Sequence, residues 1–345
     1  MTMTEPTVPG HRRDLRALPK AELHLHISAA MRPATLTELA EQAGLTAPDP
    51  RGFTTFTEFQ QVFAASHAVS QARPENLQRL VRELIEDAAA DGAAWVQPHF
   101  NPHVYPRFGP PEQVLEMVLD TAREAGARCG VGFGLTMAVN RHADPAGEVA
   151  LARFAARHAG NGIHALGLTG DESQFGAEPF APAFAIARDA GLTVAPHAGE
   201  LSGPDSVRAA IETLGATRIA HGVRAAEDPE LVALLADRGI GLDVCLTSNR
   251  ILGVVSDLAR HPLPRLLNAG VRCSLGADDP LMFGAGLADE YQTARDTFGL
   301  SDAQLADIAR TSLETGDAPA ELVRSATAGI DAWLAGPADQ PPTPR

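Results

Sequence analysis

The chain has 345 residues, 45% of them hydrophobic, a formal net charge of −15 and three cysteines. That acidity argues against a nucleic-acid surface. The scattered Cys129, Cys245 and Cys273 argue against a disulfide framework or a thiolate zinc site, and no apolar run is long enough for a membrane span or a signal peptide. The expectation is a cytoplasmic protein, monomer or homo-oligomer, that meets a small molecule.

Residues 1–13 read as a loose polar tail, and 336–345 (Gly-Pro-Ala-Asp-Gln-Pro-Pro-Thr-Pro-Arg) as disordered. A single domain is expected over 14–335. The first strand is Ala21-Glu22-Leu23-His24-Leu25-His26-Ile27. Residues two apart on a strand share a face, so His24 and His26 project together. Lys20, the only lysine, stands just before this strand, outside any plausible barrel interior. Schiff-base and pyridoxal chemistry need a pocket lysine, so both are disfavoured, as is a metal pair bridged by a modified lysine.

Pro33 to Ala40 reads as a helix with proline in its first turn. Phe53, Phe56, Phe59 and Phe63 follow at helical spacing. They fit either a core stripe or an apolar lid over a pocket mouth. Pro74 to Asp91 is a strongly amphipathic helix. Further strand-like runs cover 93–100, 130–138, 163–168, 192–197, 218–221, 240–245 and 271–275. Helical segments alternate with them at 111–126, 145–159, 177–190, 204–214, 228–238 and 257–269. Eight strands with helices between them predict an α/β chain folded as a (β/α)8 TIM barrel. Extra helices follow strand one and close the C-terminus. A doubly wound sheet is the alternative, but no Gly-x-Gly-x-x-Gly follows any strand.

In such barrels chemistry sits at the C-terminal ends of the strands. Strand one ends in His24 and His26, and strand four in Gly167-Leu168-Thr169-Gly170-Asp171-Glu172. Strand five ends in His197-Ala198-Gly199-Glu200, strand six in His221-Gly222, and strand eight in Asp278-Asp279. Three imidazoles and one carboxylate make a sound zinc shell with a position left for water. His24, His26, His197 and Asp278 are therefore the expected ligands of one Zn2+. Zinc brings the pKa of bound water to roughly 7. Glu200, His221 and Asp279 remain as proton-handling groups. Taken singly, a strand-end histidine is most often structural, Asp278-Asp279 reads as a helix N-cap pair, and Glu200 as a solvated acid. Four strand ends that all carry the right residue type are hard to assign to chance.

Together these motifs, with Leu18-Pro19-Lys20-Ala21-Glu22-Leu23-His24-Leu25-His26 and Thr247-Ser248-Asn249, resemble the adenosine deaminase family of zinc-dependent aminohydrolases. The match runs to about Phe283. The resemblance implies hydroxide attack at C6 of a 6-aminopurine, with release of ammonia and a 6-oxopurine. It implies that Glu200 protonates ring N1, and that His221 helps deprotonate the water and stabilises the hydroxide. It implies that Asp279 orients the hydroxide and meets the N7 side, and that the Gly170 N–H approaches N3. It implies that His26 lies beside the substrate. His197-Ala198-Gly199-Glu200 together with Asp278-Asp279 argues against another mononuclear metal-dependent amidohydrolase or a sugar-acid isomerase, and an inactive binding protein fits less well because no ligand and no proton donor is missing.

One departure concerns substrate. Ser28 stands where the family has an aspartate that accepts a hydrogen bond from the ribose 5′-hydroxyl. This opens the choice between adenosine and a 5′-modified adenosine such as 6-aminodeoxyfutalosine, with free adenine a further alternative. Arg141, His99 and Arg250 are candidate partners for an anionic tail, each also readable as a structural or surface ion pair.

Overall fold

The computed structural model describes residues 12–337. Most of both expected tails lies outside the described residues. Arg13, at the inner edge of the first, is held in place: its guanidinium donates to the carbonyls of Trp333 (2.8 Å) and Leu334 (2.7 Å).

The strands are β1 Lys20–Glu22, β2 Ala93–Val96, β3 His99–Phe100, β4 Gly132–Phe133, β5 Leu135–Asn140 and β6 Ile163–Thr169. They continue with β7 Thr193–Val194, β8 His197–Ala198, β9 Arg218–His221, β10 Gly241–Val244 and β11 Arg272–Leu275. All pair in parallel. Three pairs, β2 with β3, β4 with β5 and β7 with β8, are halves of one stave each, so eight staves result. Two of the interruptions fall at Pro98 and Pro196, which have no N–H to give to a ladder. Their carbonyls still accept, from Thr136 and Ala220, both at 3.0 Å. The ring closes where Asp278 N–H donates to the His24 carbonyl (2.8 Å) and His26 N–H to the Asp278 carbonyl (3.2 Å). The fold is the (β/α)8 barrel that the alternation predicts.

Strand one differs from the expected 21–27. Its regular pairing stops at Glu22, Leu25 and His26 form only isolated bridges to Asp278 and His99, and Ile27–Ala30 winds into a 3-10 turn. The backbone here meets Asp278, past the end of β11, and then His99 of β3, instead of running along one strand.

The helices are α1 Pro33–Gln42, α2 Phe56–Ser70, α3 Pro74–Ala90, α4 Pro111–Cys129, α5 Pro145–Arg157, α6 Ala181–Asp189 and α7 Pro204–Ala209. After them come α8 Pro229–Arg238, α9 Leu246–Ile251, α10 Leu263–Asn268, α11 Pro280–Phe283, α12 Leu287–Phe298, α13 Asp302–Thr315 and α14 Ala320–Ala335. The Phe53–Phe63 stripe begins outside α2, because Thr55 caps that helix and forms a capping box with Glu58. The additional helices are α1 and α2 after strand one and α12 to α14 at the end, as expected.

The N-terminal end of the barrel is plugged by buried polar groups. Arg218 pairs with Asp243 at 3.0 Å and with Asp317 at 3.6 Å. Asp317 also accepts from Gln97 (2.7 Å) and Thr193 (2.6 Å). Breaking one partner of such a network leaves an uncompensated buried charge. Lys20 lies at the same end, away from the strand ends that carry the histidines. It is fully buried, donates to the carbonyls of Leu15 and Leu18 at 2.8 Å, and sits 5.3 Å over the Tyr291 ring.

Burial pulls the pKa of Lys20 from its ordinary 10.5 to about 7, with Asp91 and Asp14 opposing only in part. Between those values the unfolded chain holds the extra proton, so stability contributed by this residue rises with pH. The unfolding free energy of the native protein should therefore gain on that of Lys20→Met as pH climbs from about 7 towards 10. Denaturant titrations of both proteins across that range check this, and a pH-independent difference would refute it.

Candidate functional site

At the C-terminal ends of the staves four side chains converge. His24 Nε2 lies 3.1 Å from His197 Nε2 and 3.4 Å from Asp278 Oδ1, and His26 Nε2 lies 3.5 Å from the same Oδ1. Ligands about 2.0–2.1 Å from a tetrahedral ion sit roughly 3.3–3.4 Å from one another, so the donor set fits one cation. All four ligand atoms fall within 4.8 Å of one another. His24 Nδ1 is 3.2 Å from the Asp243 carbonyl, which only accepts. Nδ1 therefore carries the proton and Nε2 offers its lone pair inward. Cys245 Sγ closes the same side at 3.3 Å.

The electrostatics suit a cation. Burial lowers the pKa of His26 to about 4 and that of His197 well below its ordinary value, which leaves both imidazoles free to coordinate. Burial works against the Asp278 carboxylate, but the histidines around it outweigh this and hold its pKa below the usual range. Its backbone is strained as well. Asp278 (φ 59°) and His221 (φ 65°) are the only described residues other than glycine with positive φ. That conformation costs of order 1–3 kcal/mol and collects at functional sites. Gly276 lets this segment approach, since a Cβ there would meet the His24 Cβ at 2.7 Å.

Beside the ligand group stand Glu200, His221 and Asp279, all buried. Burial first, then the charges of Asp278, Glu172 and Asp171, raise the Glu200 pKa well above its ordinary value, which favours the neutral acid. Asp279 is raised by burial and by Asp278 and Glu200. Glu200 Oε1 and Asp279 Oδ1 are buried without a partner. The loop that carries Glu200 is pinned by Glu172, whose carboxylate accepts from the amides of Gly199 (2.9 Å), Glu200 (2.6 Å) and Ser202 (2.8 Å). His221 Nε2 is 3.4 Å from Glu200 Oε2.

These groups form the floor of a cavity of about 340 Å3. Phe56, Phe59 and Phe63 of α2 make its apolar wall, and Asn140, His142, Thr169 and Gly170 the opposite one. The phenylalanine stripe thus serves core and pocket together. Gly170 (φ 101°) is at the wall because a Cβ there would come within 2.9 Å of the His142 ring. Gln60 reaches across from α2 to His142 Nε2 at 3.1 Å.

Ser28 is placed differently. It is buried in the 3-10 turn and does not line the cavity. The candidate partners for an anionic tail are also elsewhere. Arg141 donates to the backbone carbonyls of Phe175 and His197, each at 2.7 Å, and so holds a ligand segment in place. His99 stacks on His26 with ring centroids 4.8 Å apart. Among the described residues no arginine or lysine, Arg250 included, lines the cavity. Sequence reasoning quoted Glu172 and Asn249 inside motifs without a duty for either. It missed Gln60, His142 and His261, which carry no local signal.

Replacing one ligand tests the donor set. His197→Ala should retain well under one equivalent of metal after desalting. Full occupancy by elemental analysis would contradict the assignment.

The model of the adenosine deaminase family matches residues 19–333. A Streptomyces coelicolor protein that carries the provisional name adenosine/adenine deaminase is 44% identical over 341 residues, 93% of this chain and 98% of its own. An aminodeoxyfutalosine deaminase of Acidothermus cellulolyticus is 37% identical over 295 residues, 81% of this chain and 83% of its own. The crystal structure of an adenine deaminase from Arthrobacter aurescens superposes with a TM-score of 0.85 at 26% identity, covering 92% of this chain and all of that one. The chain belongs to the adenosine deaminase family and is a hydrolase of its amidine C–N bond type.

Proposed function

We propose that the protein deaminates a neutral 6-aminopurine, adenine or adenosine, to the 6-oxopurine with release of ammonia. What carries this is a buried Glu200, its pKa raised by burial, lining one cavity with His26, His197 and Asp278 of the group that His24 completes. Three imidazoles and one carboxylate suit zinc better than magnesium or calcium. Bound there, zinc supplies a Lewis acid and a source of hydroxide at neutral pH.

The chain's own groups then divide the work. Glu200 donates its proton to ring N1, which lets the ring take up charge as C6 becomes tetrahedral. Asp279 orients the attacking oxygen and meets the N7 side of the purine. His221 stands next to that oxygen. The Gly170 N–H approaches N3, on a wall where a Cβ would crowd His142 and Asn140. The wall of Phe56, Phe59 and Phe63 excludes water from the ring.

The relative named for aminodeoxyfutalosine favours a second reading, a carboxylate-bearing 5′-modified nucleoside. The cavity supports neutral substrates instead. Its described lining holds Glu200, Asp278 and Asp279 and no arginine or lysine to meet an anion.

An ammonia-release screen across adenine, adenosine, a 5′-carboxylated adenosine and adenosine 5′-phosphate separates the readings. Turnover confined to the first two is expected, and preference for an anionic member would overturn the neutral-substrate proposal. Glu200→Gln should keep its metal and lose about 10²–10⁴-fold in kcat. Near-normal turnover would remove Glu200 from the reaction.

A further inference from the structure

A chain of three buried side chains leads away from the site and ends on the backbone. The Leu263 amide donates to His261 Nδ1 at 3.1 Å. His261 Nε2 is 3.2 Å from Asn249 Oδ1. Asn249 Nδ2 is 3.3 Å from His221 Nδ1. Asn249 is fully buried, and His261 and His221 are 3% and 1% exposed.

The direction of every bond follows from its far end. A backbone N–H only donates, so His261 Nδ1 must accept. An imidazole that accepts at Nδ1 carries its proton on Nε2 when neutral, and burial keeps His261 neutral with a pKa of about 4. His261 Nε2–H therefore donates, which makes the facing Asn249 atom the oxygen. The other end of that amide is then NH2, which has no lone pair to offer. His221 Nδ1 must accept from it, and the single proton of a neutral His221 sits on Nε2. That nitrogen faces Glu200 Oε2 at 3.4 Å and Asp278 Oδ2 at 3.9 Å.

We infer that Asn249 and His261 are positioning residues that lock His221 as its Nε2–H tautomer, so that it meets the reacting oxygen as a hydrogen-bond donor and not as a proton acceptor. This rests on the deaminase reading of the site, and it narrows what the family resemblance allows. Of the two duties implied for His221, stabilising the attacking oxygen fits the chain of bonds, and deprotonating water through Nε2 does not. The Asn249 side chain supplies what a bare cavity wall cannot, a donor fixed in direction by a partner that cannot reverse. The device needs an amide at this position. A carboxylate in its place would be an acceptor at both ends and would draw the His221 proton to Nδ1, leaving a lone pair on Nε2.

Ring-nitrogen NMR of isotopically labelled, metal-loaded protein reads the tautomer directly, with the His221→Gln spectrum to assign the signals. His221 is expected to be protonated on Nε2 and bare on Nδ1. Protonation on Nδ1, or on both nitrogens, overturns the inference whether or not the protein proves to be a deaminase. In Asn249→Asp the proton should move to Nδ1 while kcat falls about 10–100-fold and KM stays within about threefold. An unchanged His221 spectrum with unchanged turnover removes the positioning role. Should that variant not fold, the spectrum of the native protein alone decides the tautomer.

Discussion

The structure depends on how one buried carboxylate is compensated. Asp278 lies in the barrel mouth with His24, His26 and His221 around it. An isolated carboxylate there would be very costly. The imidazoles around it, His24 first, favour its ionised form, and the ring nitrogens of His24, His26 and His197 converge with it within 4.8 Å. The last stave must bring Asp278 to the first stave for this to happen. The Asp278–His24 backbone bond that closes the barrel thus also brings the candidate ligands together.

Charge is distributed by role. Glu200 and Asp279, a few ångströms away, are pushed towards their neutral acids by burial and by Asp278. Neighbouring carboxyl groups whose environments separate their pKa values mark acid and base assignments. The two ends of the barrel carry different polar groups. At the N-terminal end Arg218 pairs in charge with Asp243 and Asp317. At the C-terminal end buried polar atoms on Glu200, Asp279 and His197 are left without partners. Unpaired buried groups are costly in a folded chain, and here they lie at a cavity.

Second neighbours do much of the positioning. Arg141 and Glu172 hold the two ends of the His197–Ser202 segment through its backbone. His24 is fixed through Asp243, and His221 through Asn249. His24 faces a backbone carbonyl that can only accept, and the direction of the Asn249 amide facing His221 is set through His261 by the Leu263 N–H, which can only donate. The histidines thereby acquire different tautomers for different tasks.

The sequence by itself determined the alternation of strands and helices, because periods of 2 and 3.6 are local properties. It also singled out the four candidate ligands, since His24, His26, His197 and Asp278 each sit at the end of a recognisable apolar run. Lys20, lone in the chain, could be set aside for the same reason. Only the tertiary structure decided which groups face the cavity. Ser28, read as a pocket residue, is buried in a 3-10 turn and is not among the residues that line the cavity. Arg141, read as a partner for substrate, is spent on backbone carbonyls. The positive φ of Asp278 and His221, the His221–Asn249–His261 chain and the Gln60–His142 contact join residues far apart in sequence. Such contacts follow from side-chain direction and barrel closure, and neither is written in the order of residues along one strand.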